Sequence, residues 1–288
     1  MKSLVIALVA LASCALAIGQ EVGDGNAIET PGLTDPIQRF ASRFGLNEPL
    51  YFAVGFRKEG DAKFQISFKY RFFSAVPGSA PRTWIGNTYF GYTQTSIWDV
   101  EDDSLPFRDT SYRPSLFFLR DRIARYSTER RHFGIQFGIE HESNGQGGDD
   151  SRSLNIAFVR PTWRFGAIDG YHFTLSPKLY VYVDSLSDNP DLDEYRGYAD
   201  LAAAWGKFDS WKIAGTLRTG TKNDAGSIEV AVTYPLDRLI SRDVGAFVML
   251  QYFSGWGESL IDYDVKRPLR SGWGLRSCAD REARARDQ

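Results

Sequence analysis

Cysteine is nearly absent: the 288 residues include only Cys14 and Cys278. Cys14 lies in an N-terminal segment in which Lys2 precedes an apolar run from Leu4 to Ala12 and then small residues around Ala15-Leu16-Ala17. That is the layout of a secretory signal peptide, placing the start of the mature chain near Ile18. The alternative takes Leu11-Ala12-Ser13-Cys14 as a lipoprotein cleavage box with Cys14 lipidated; either way the protein is exported. With Cys14 in the signal, no internal disulfide is available, and stability must come from backbone pairing and packing. Net charge is also missing. The 34 basic and 36 acidic residues leave a formal charge of −2, which gives no bulk attraction to nucleic acid. Outside the signal there is no apolar stretch of the roughly 18 residues that a membrane-spanning helix needs, which excludes a helical membrane protein.

Aromatic residues are abundant: 7 Trp, 14 Tyr and 20 Phe in a chain whose mean hydropathy is −0.32. A transmembrane β-barrel produces that combination, because only alternate residues face lipid and rings gather at the two interfaces. Residues 18–47 are polar, with a short helix-like stretch at Pro36 to Phe44, and read as an arm outside the barrel. From Pro49 onward, short segments alternate with period two. Phe64, Ile66, Phe68, Tyr70 and Phe72 oppose Lys63, Gln65, Ser67, Lys69 and Arg71. Alternation alone is equally compatible with a soluble sandwich.

Strand length favours the membrane. Candidate strands fall at about 49–58, 62–73, 84–98, 114–123, 131–143, 153–164, 171–184, 195–206, 210–220, 226–235, 244–256 and 259–275. Many are near the ~9–11 residues of a tilted membrane strand rather than the ~5–6 of a soluble one. Twelve is an even number, which fits closure without a free edge. The fold class expected is all-β: a twelve-stranded antiparallel transmembrane barrel over 48–276, after a signal peptide (1–17) and a short N-terminal arm (18–47), with an atypical charged tail at 277–288. Short turns at Thr221 to Ala225 and Ser241 to Asp243, against longer loops at 99–113, 144–152 and 184–194, suggest the two different ends of such a barrel.

The fifth strand carries the chemistry. Phe133, Ile135, Phe137 and Ile139 form its apolar row, and His141 and Ser143 continue it, so both point toward lipid if the barrel reading holds. A register with 143 opposite 153 also sets 141 opposite 155, and directly paired residues share a face. His141, Ser143 and Asn155 then form one outward patch, with Ser143 as nucleophile, His141 as general base and acid, and Asn155 orienting the imidazole. By pattern alone, rim residues without a task explain the same three positions. The following loop, Gln146 to Ser151, offers hydroxyl, carboxylate and carbonyl oxygens of the kind calcium prefers, but taken by itself it reads more readily as a solvated acidic loop.

Several motifs together resemble the bacterial outer membrane phospholipase A family. They are Tyr92-Thr93-Gln94-Thr95-Ser96, Pro106-Phe107-Arg108-Asp109-Thr110-Ser111-Tyr112, His141-Glu142-Ser143-Asn144-Gly145, Ser151-Arg152-Ser153-Leu154-Asn155, Asp188-Asn189-Pro190-Asp191 and the run from Tyr252 to Tyr263. They follow in order from about residue 48 to 265. The resemblance implies a calcium-dependent enzyme of the outer membrane that hydrolyses phospholipid acyl esters at sn-1 and sn-2, acts on lysophospholipids, and is activated by homodimerisation. It places the family's catalytic Ser, His and Asn on Ser143, His141 and Asn155. It implies one calcium per active site of the dimer, held by the Gln146 carbonyl, the Ser151 hydroxyl and the Leu105 carbonyl from the second subunit, with Asp188 at a secondary site. Gln94 is expected at the dimer interface, where a polar group facing hydrocarbon gains from finding a partner. Gln146 and Gly148 depart from the family's usual basic and acidic residues in the calcium loop. The C-terminal segment Pro268 to Arg276 departs from an alternating, aromatic-ended closing strand, which leaves impaired closure and a reading-frame slip after about Lys266 as alternatives. A passive porin and a soluble lipid-binding β protein are the rival classes.

Overall fold

The computed structural model describes residues 40, 43–55, 61–73, 84–99, 107–167, 169–240 and 245–277. The signal segment, most of the arm, Leu105 and the tail beyond Ser277 lie outside the described residues.

Twelve strands close into one antiparallel barrel: β2 (Tyr51–Gly55), β3 (Asp61–Arg71), β4 (Thr88–Asp99), β5 (Phe107–Arg120), β6 (Arg131–Ser143), β7 (Ser153–Phe165), β8 (His172–Tyr182), β9 (Ala199–Gly206), β10 (Lys212–Thr219), β11 (Gly226–Pro235), β12 (Ala246–Gly255) and β13 (Arg267–Ser277). Each pairs with its sequence neighbours, and β13 pairs with β2 to complete the ring. A two-residue strand, β1 (Phe44–Gly45), adds to the far end of β3. Each of the twelve segments expected from the sequence contains a strand, although the last starts at Arg267 rather than near 259, where residues 256–266 form a loop. No described helix is long and apolar enough to cross a membrane.

The two faces of the wall differ as the alternation requires. Ile139 is 55% exposed on the outer surface, whereas Lys178, facing inward, is 5% exposed. Ile66, Val181, Leu201, Leu217 and Trp273 are likewise exposed, forming an apolar outer belt. Inside, charges are paired: Lys178 with Glu140 at 2.7 Å, Lys63 with Glu229 at 3.1 Å, and Arg218 with both oxygens of Asp200 at 2.6 and 2.9 Å. Buried charges that lacked such partners would cost several kcal/mol each. Glu48, in the break between β1 and β2, accepts from Arg113 at 3.0 Å and so joins this internal network.

The interior is not wholly polar. Leu154, Ile156, Phe158, Tyr180, Leu192, Tyr195, Leu260 and Tyr263 form an apolar cluster at the Ser143 end, where a short helix α1 (Leu192–Arg196) and the 256–266 loop pack together. Asp109 ties that loop down by accepting from the backbone N–H groups of Leu260 (2.8 Å) and Ile261 (3.0 Å).

Four other expectations change in detail. β5 begins at Phe107, not near 114, because Phe107 to Arg113 pairs with β4. The segment expected as a strand from 195 starts at Ala199, since Leu192–Arg196 is helical. The 221–225 turn lies at the same end as the long 144–152 loop, so loop length does not separate the ends cleanly: Lys222 N–H donates to the Glu194 carbonyl, and α1 holds this turn short. The atypical C-terminal segment does close the barrel, with Gly272 to Arg276 pairing with Gly55 to Tyr51. Glycine makes that possible: a Cβ on Gly274 would sit 1.9 Å from the Phe52 carbonyl oxygen.

Candidate active site

β6 and β7 pair along their whole length with His141 opposite Asn155 and Ser143 opposite Ser153. His141 and Ser143 share the face of Ile139 and Phe137, both exposed on the outer wall, while the intervening Glu142 is buried. The His141 Nδ1 and Asn155 Oδ1 are 2.9 Å apart. With Nδ1 occupied by the amide oxygen, Nε2 is the nitrogen left for the Ser143 side.

Glu142 fixes this strand end from inside. Its Oε1 accepts from Ser111 Oγ at 2.7 Å and its Oε2 from Arg196 Nη1 at 3.0 Å. On the other flank, β5 pairs Tyr112 with Ser143 and then Ser115 with Glu140, leaving a gap at Arg113 and Pro114. Proline has no N–H to contribute to the ladder, so the gap falls where β5 passes His141.

Two contributions were not legible in the sequence. Asn144, 2% exposed, shapes the 144–152 loop: its Oδ1 accepts from Gln146 N (3.2 Å) and Arg152 N (3.0 Å), and its Nδ2 donates to the Asp150 carbonyl (2.8 Å). Asp184 accepts from Asn155 Nδ2 at 2.7 Å. Strand alternation sets position 184 on the opposite face from 155, but the regular strand ends at Tyr182, which releases the side chain from that rule.

Ser151 Oγ donates to Asp188 Oδ2 at 3.0 Å, and Ser153 Oγ donates to the same oxygen at 3.2 Å. These exposed hydroxyl and carboxylate oxygens fit a hard cation in kind. Among the described residues no three His, Cys, Asp or Glu side chains converge, so an ion here would need carbonyl and water oxygens as well. The Gln146 amide is held by Asn144 in the same loop. Gln94 lies on the outer face in register with Ile66 and Tyr112. It accepts from Tyr92 Oη (3.0 Å) and donates to Ser96 Oγ (3.3 Å), so part of its hydrogen bonding is met within β4.

A closed antiparallel barrel with an apolar outer belt is the fold of an integral outer-membrane protein, and this one carries a serine, a histidine and an asparagine on its outer wall. The chain belongs to the phospholipase A1 family, whose model matches residues 47–276. It is 31% identical to a putative phospholipase A1 of Neisseria meningitidis over 74% of this chain and 53% of that protein, and 30% identical to the phospholipase A1 of Klebsiella pneumoniae over 76% and 70%. The chain thus spans about half the length of the Neisseria relative. Its fold resembles outer membrane phospholipase A from Escherichia coli (TM-score 0.66, 23% identity, covering 83% of this chain and 96% of that one). It equally resembles the outer membrane phospholipase of Salmonella typhi, solved as a dimer with bound calcium (TM-score 0.66, 24% identity, covering 81% and 91%).

Proposed function

We propose that this protein is a calcium-dependent phospholipase that cleaves sn-1 and sn-2 acyl esters and lysophospholipids, using Ser143, His141 and Asn155, and is active as a homodimer. The observation that carries this reading is the His141–Asn155 contact on the outer wall, with Ser143 two residues along the same face. A site on that wall meets its substrate, the membrane lipid, without the lipid having to enter a lumen.

The Ser143 hydroxyl attacks the ester carbonyl as His141 Nε2 takes its proton, while Asn155 holds the ring through Nδ1. His141 then gives the proton to the leaving lysophospholipid oxygen. Water, deprotonated by the same nitrogen, releases the fatty acid from Ser143. Backbone N–H groups near Ser143 stabilise the developing oxyanion, each worth roughly 2.7–4 kcal/mol in comparable hydrolases. Ser151, the Gln146 carbonyl and the Leu105 carbonyl of a second subunit, with Asp188 at a secondary site, would hold calcium, which would supply positive charge to the site. A lone subunit lacks part of this donor set, so pairing acts as the switch, and Gln94 lies on the face that would meet the partner.

The test is product analysis with phospholipids labelled separately at sn-1 and sn-2 in mixed micelles. Release of both labels in calcium and neither in EDTA supports the reading; a folded protein that releases neither overturns it.

A further inference from the structure

Resting on that reading, we infer that Asp184 is a fourth member of the site, a positioning residue that acts through Asn155 to fix the tautomer and orientation of His141. The geometry is a continuous chain: His141 Nδ1 to Asn155 Oδ1 at 2.9 Å, and Asn155 Nδ2 to Asp184 Oδ2 at 2.7 Å.

An asparagine amide is nearly symmetric in shape, and nothing about its outline decides which end meets the imidazole. With the NH2 group toward the ring, the amide would donate to Nδ1. The imidazole proton would then sit on Nε2, where it blocks the base function toward Ser143. An ionised carboxylate can only accept. Placed at the far end of Asn155, Asp184 therefore forces the NH2 group toward itself and the carbonyl oxygen toward His141, which must then carry its proton on Nδ1 and leave Nε2 bare. Its negative charge also polarises the amide toward the imidazolium that forms in the transition state, supplying part of what an aspartate in place of Asn155 would give directly.

The setting of Asp184 supports the assignment. Its Oδ1 is buried without a hydrogen-bond partner, and no cation pairs with the carboxylate among the described residues. Burying a carboxylate oxygen without a donor is costly. The side chain also sits just past the end of β8, held in place by the Val183 N–H donating to the Asn155 carbonyl at 2.9 Å. That backbone bond fixes the spacing between Asp184 and Asn155 independently of the side chains.

The experiment has two readouts on the full chain folded in detergent micelles. The first is imidazole nitrogen NMR of protein labelled with 15N-histidine. The chain has three histidines, and His132→Gln and His172→Gln variants assign the His141 signals. The expected result is a single Nδ1–H tautomer for His141 in wild type and a mixture of tautomers in Asp184→Leu. The second readout is kinetic, at saturating calcium. Asp184→Leu should lower kcat about 10- to 100-fold with KM unchanged, the scale on which outer-shell partners of histidine act. Asp184→Asn, whose amide can turn its own NH2 toward Asn155 and so no longer forces the orientation, should also give a mixture of tautomers, whereas Asp184→Glu, still acceptor-only, should keep more of the Nδ1–H form. Should Asp184→Leu fail to fold, the Asp184→Asn comparison still decides: a single Nδ1–H tautomer with unchanged kcat there overturns the proposal. An unchanged tautomer and kcat in folded Asp184→Leu overturns it too, as does a variant whose kcat is restored by more calcium, which would make Asp184 a metal ligand. If wild type hydrolyses no ester at all, the phospholipase reading fails while the tautomer measurement still decides the role of Asp184.

Discussion

Glu142 and Arg196 form an ion pair 3.0 Å long inside the barrel, directly behind the strand end that presents His141 and Ser143 on the outside. Both side chains are nearly buried, and the other oxygen of Glu142 is taken by Ser111. Removing one member leaves an uncompensated buried charge, which costs about 3–5 kcal/mol. Glu142→Ala should therefore lower unfolding stability by that amount in a urea titration of the detergent-folded protein, while Glu142→Gln, which keeps the Ser111 bond, should lose less. Equal stability of all three forms would show that the pair does not anchor the site.

Ser151 Oγ donates to Asp188 Oδ2 at 3.0 Å, so a calcium ion taken up by this hydroxyl, as proposed, would have to displace that hydrogen bond. If Ser151 is a calcium ligand, as proposed, Ser151→Ala should raise the calcium concentration for half-maximal activity about tenfold or more, equivalent to ~1.4 kcal/mol. The maximal rate at saturating calcium should change far less. A calcium titration of fatty-acid release reads both quantities. An unchanged half-maximal concentration would remove Ser151 from the metal site.

Leu201 is exposed on the outer belt, between Pro177 and Leu217 of its neighbouring strands. If that belt contacts hydrocarbon, Leu201→Arg should cost up to ~2–4 kcal/mol, with the full value at the bilayer midplane. The next residue, Ala202, shares the opposite, inward row with Ser176 and Thr216, and Ala202→Ser should be tolerated. Folding yield into lipid vesicles distinguishes the two. Equal tolerance at both positions would contradict the assignment of faces.

Much of this was readable in the sequence because a strand repeats every two residues. The row Phe133, Ile135, Phe137, Ile139 fixes the parity of His141 and Ser143, and a loop of about nine residues fixes the register that brings Asn155 opposite His141. What was missed depends on positions where the strand rule lapses. Asp184 reaches Asn155 only because β8 stops at Tyr182, and the early start of β5 at Phe107 was hidden by Pro114, which reads as a strand boundary. Asn144 gave no periodic signal, since its work is to satisfy loop backbone groups. The closing strand looked atypical because it does not end in an aromatic residue and runs on into a charged tail, yet its Gly272 and Gly274 are what let β2 approach.

If Ser143 is the nucleophile of a calcium-dependent esterase on the outer wall, ester cleavage must depend on its hydroxyl. The most direct measurement is fatty-acid release from mixed phospholipid–detergent micelles by wild type and Ser143→Ala, folded to the same extent, in calcium and in EDTA. Release by wild type in calcium alone, reduced at least about a thousandfold in Ser143→Ala, is the predicted result. Equal release by the two proteins would contradict it.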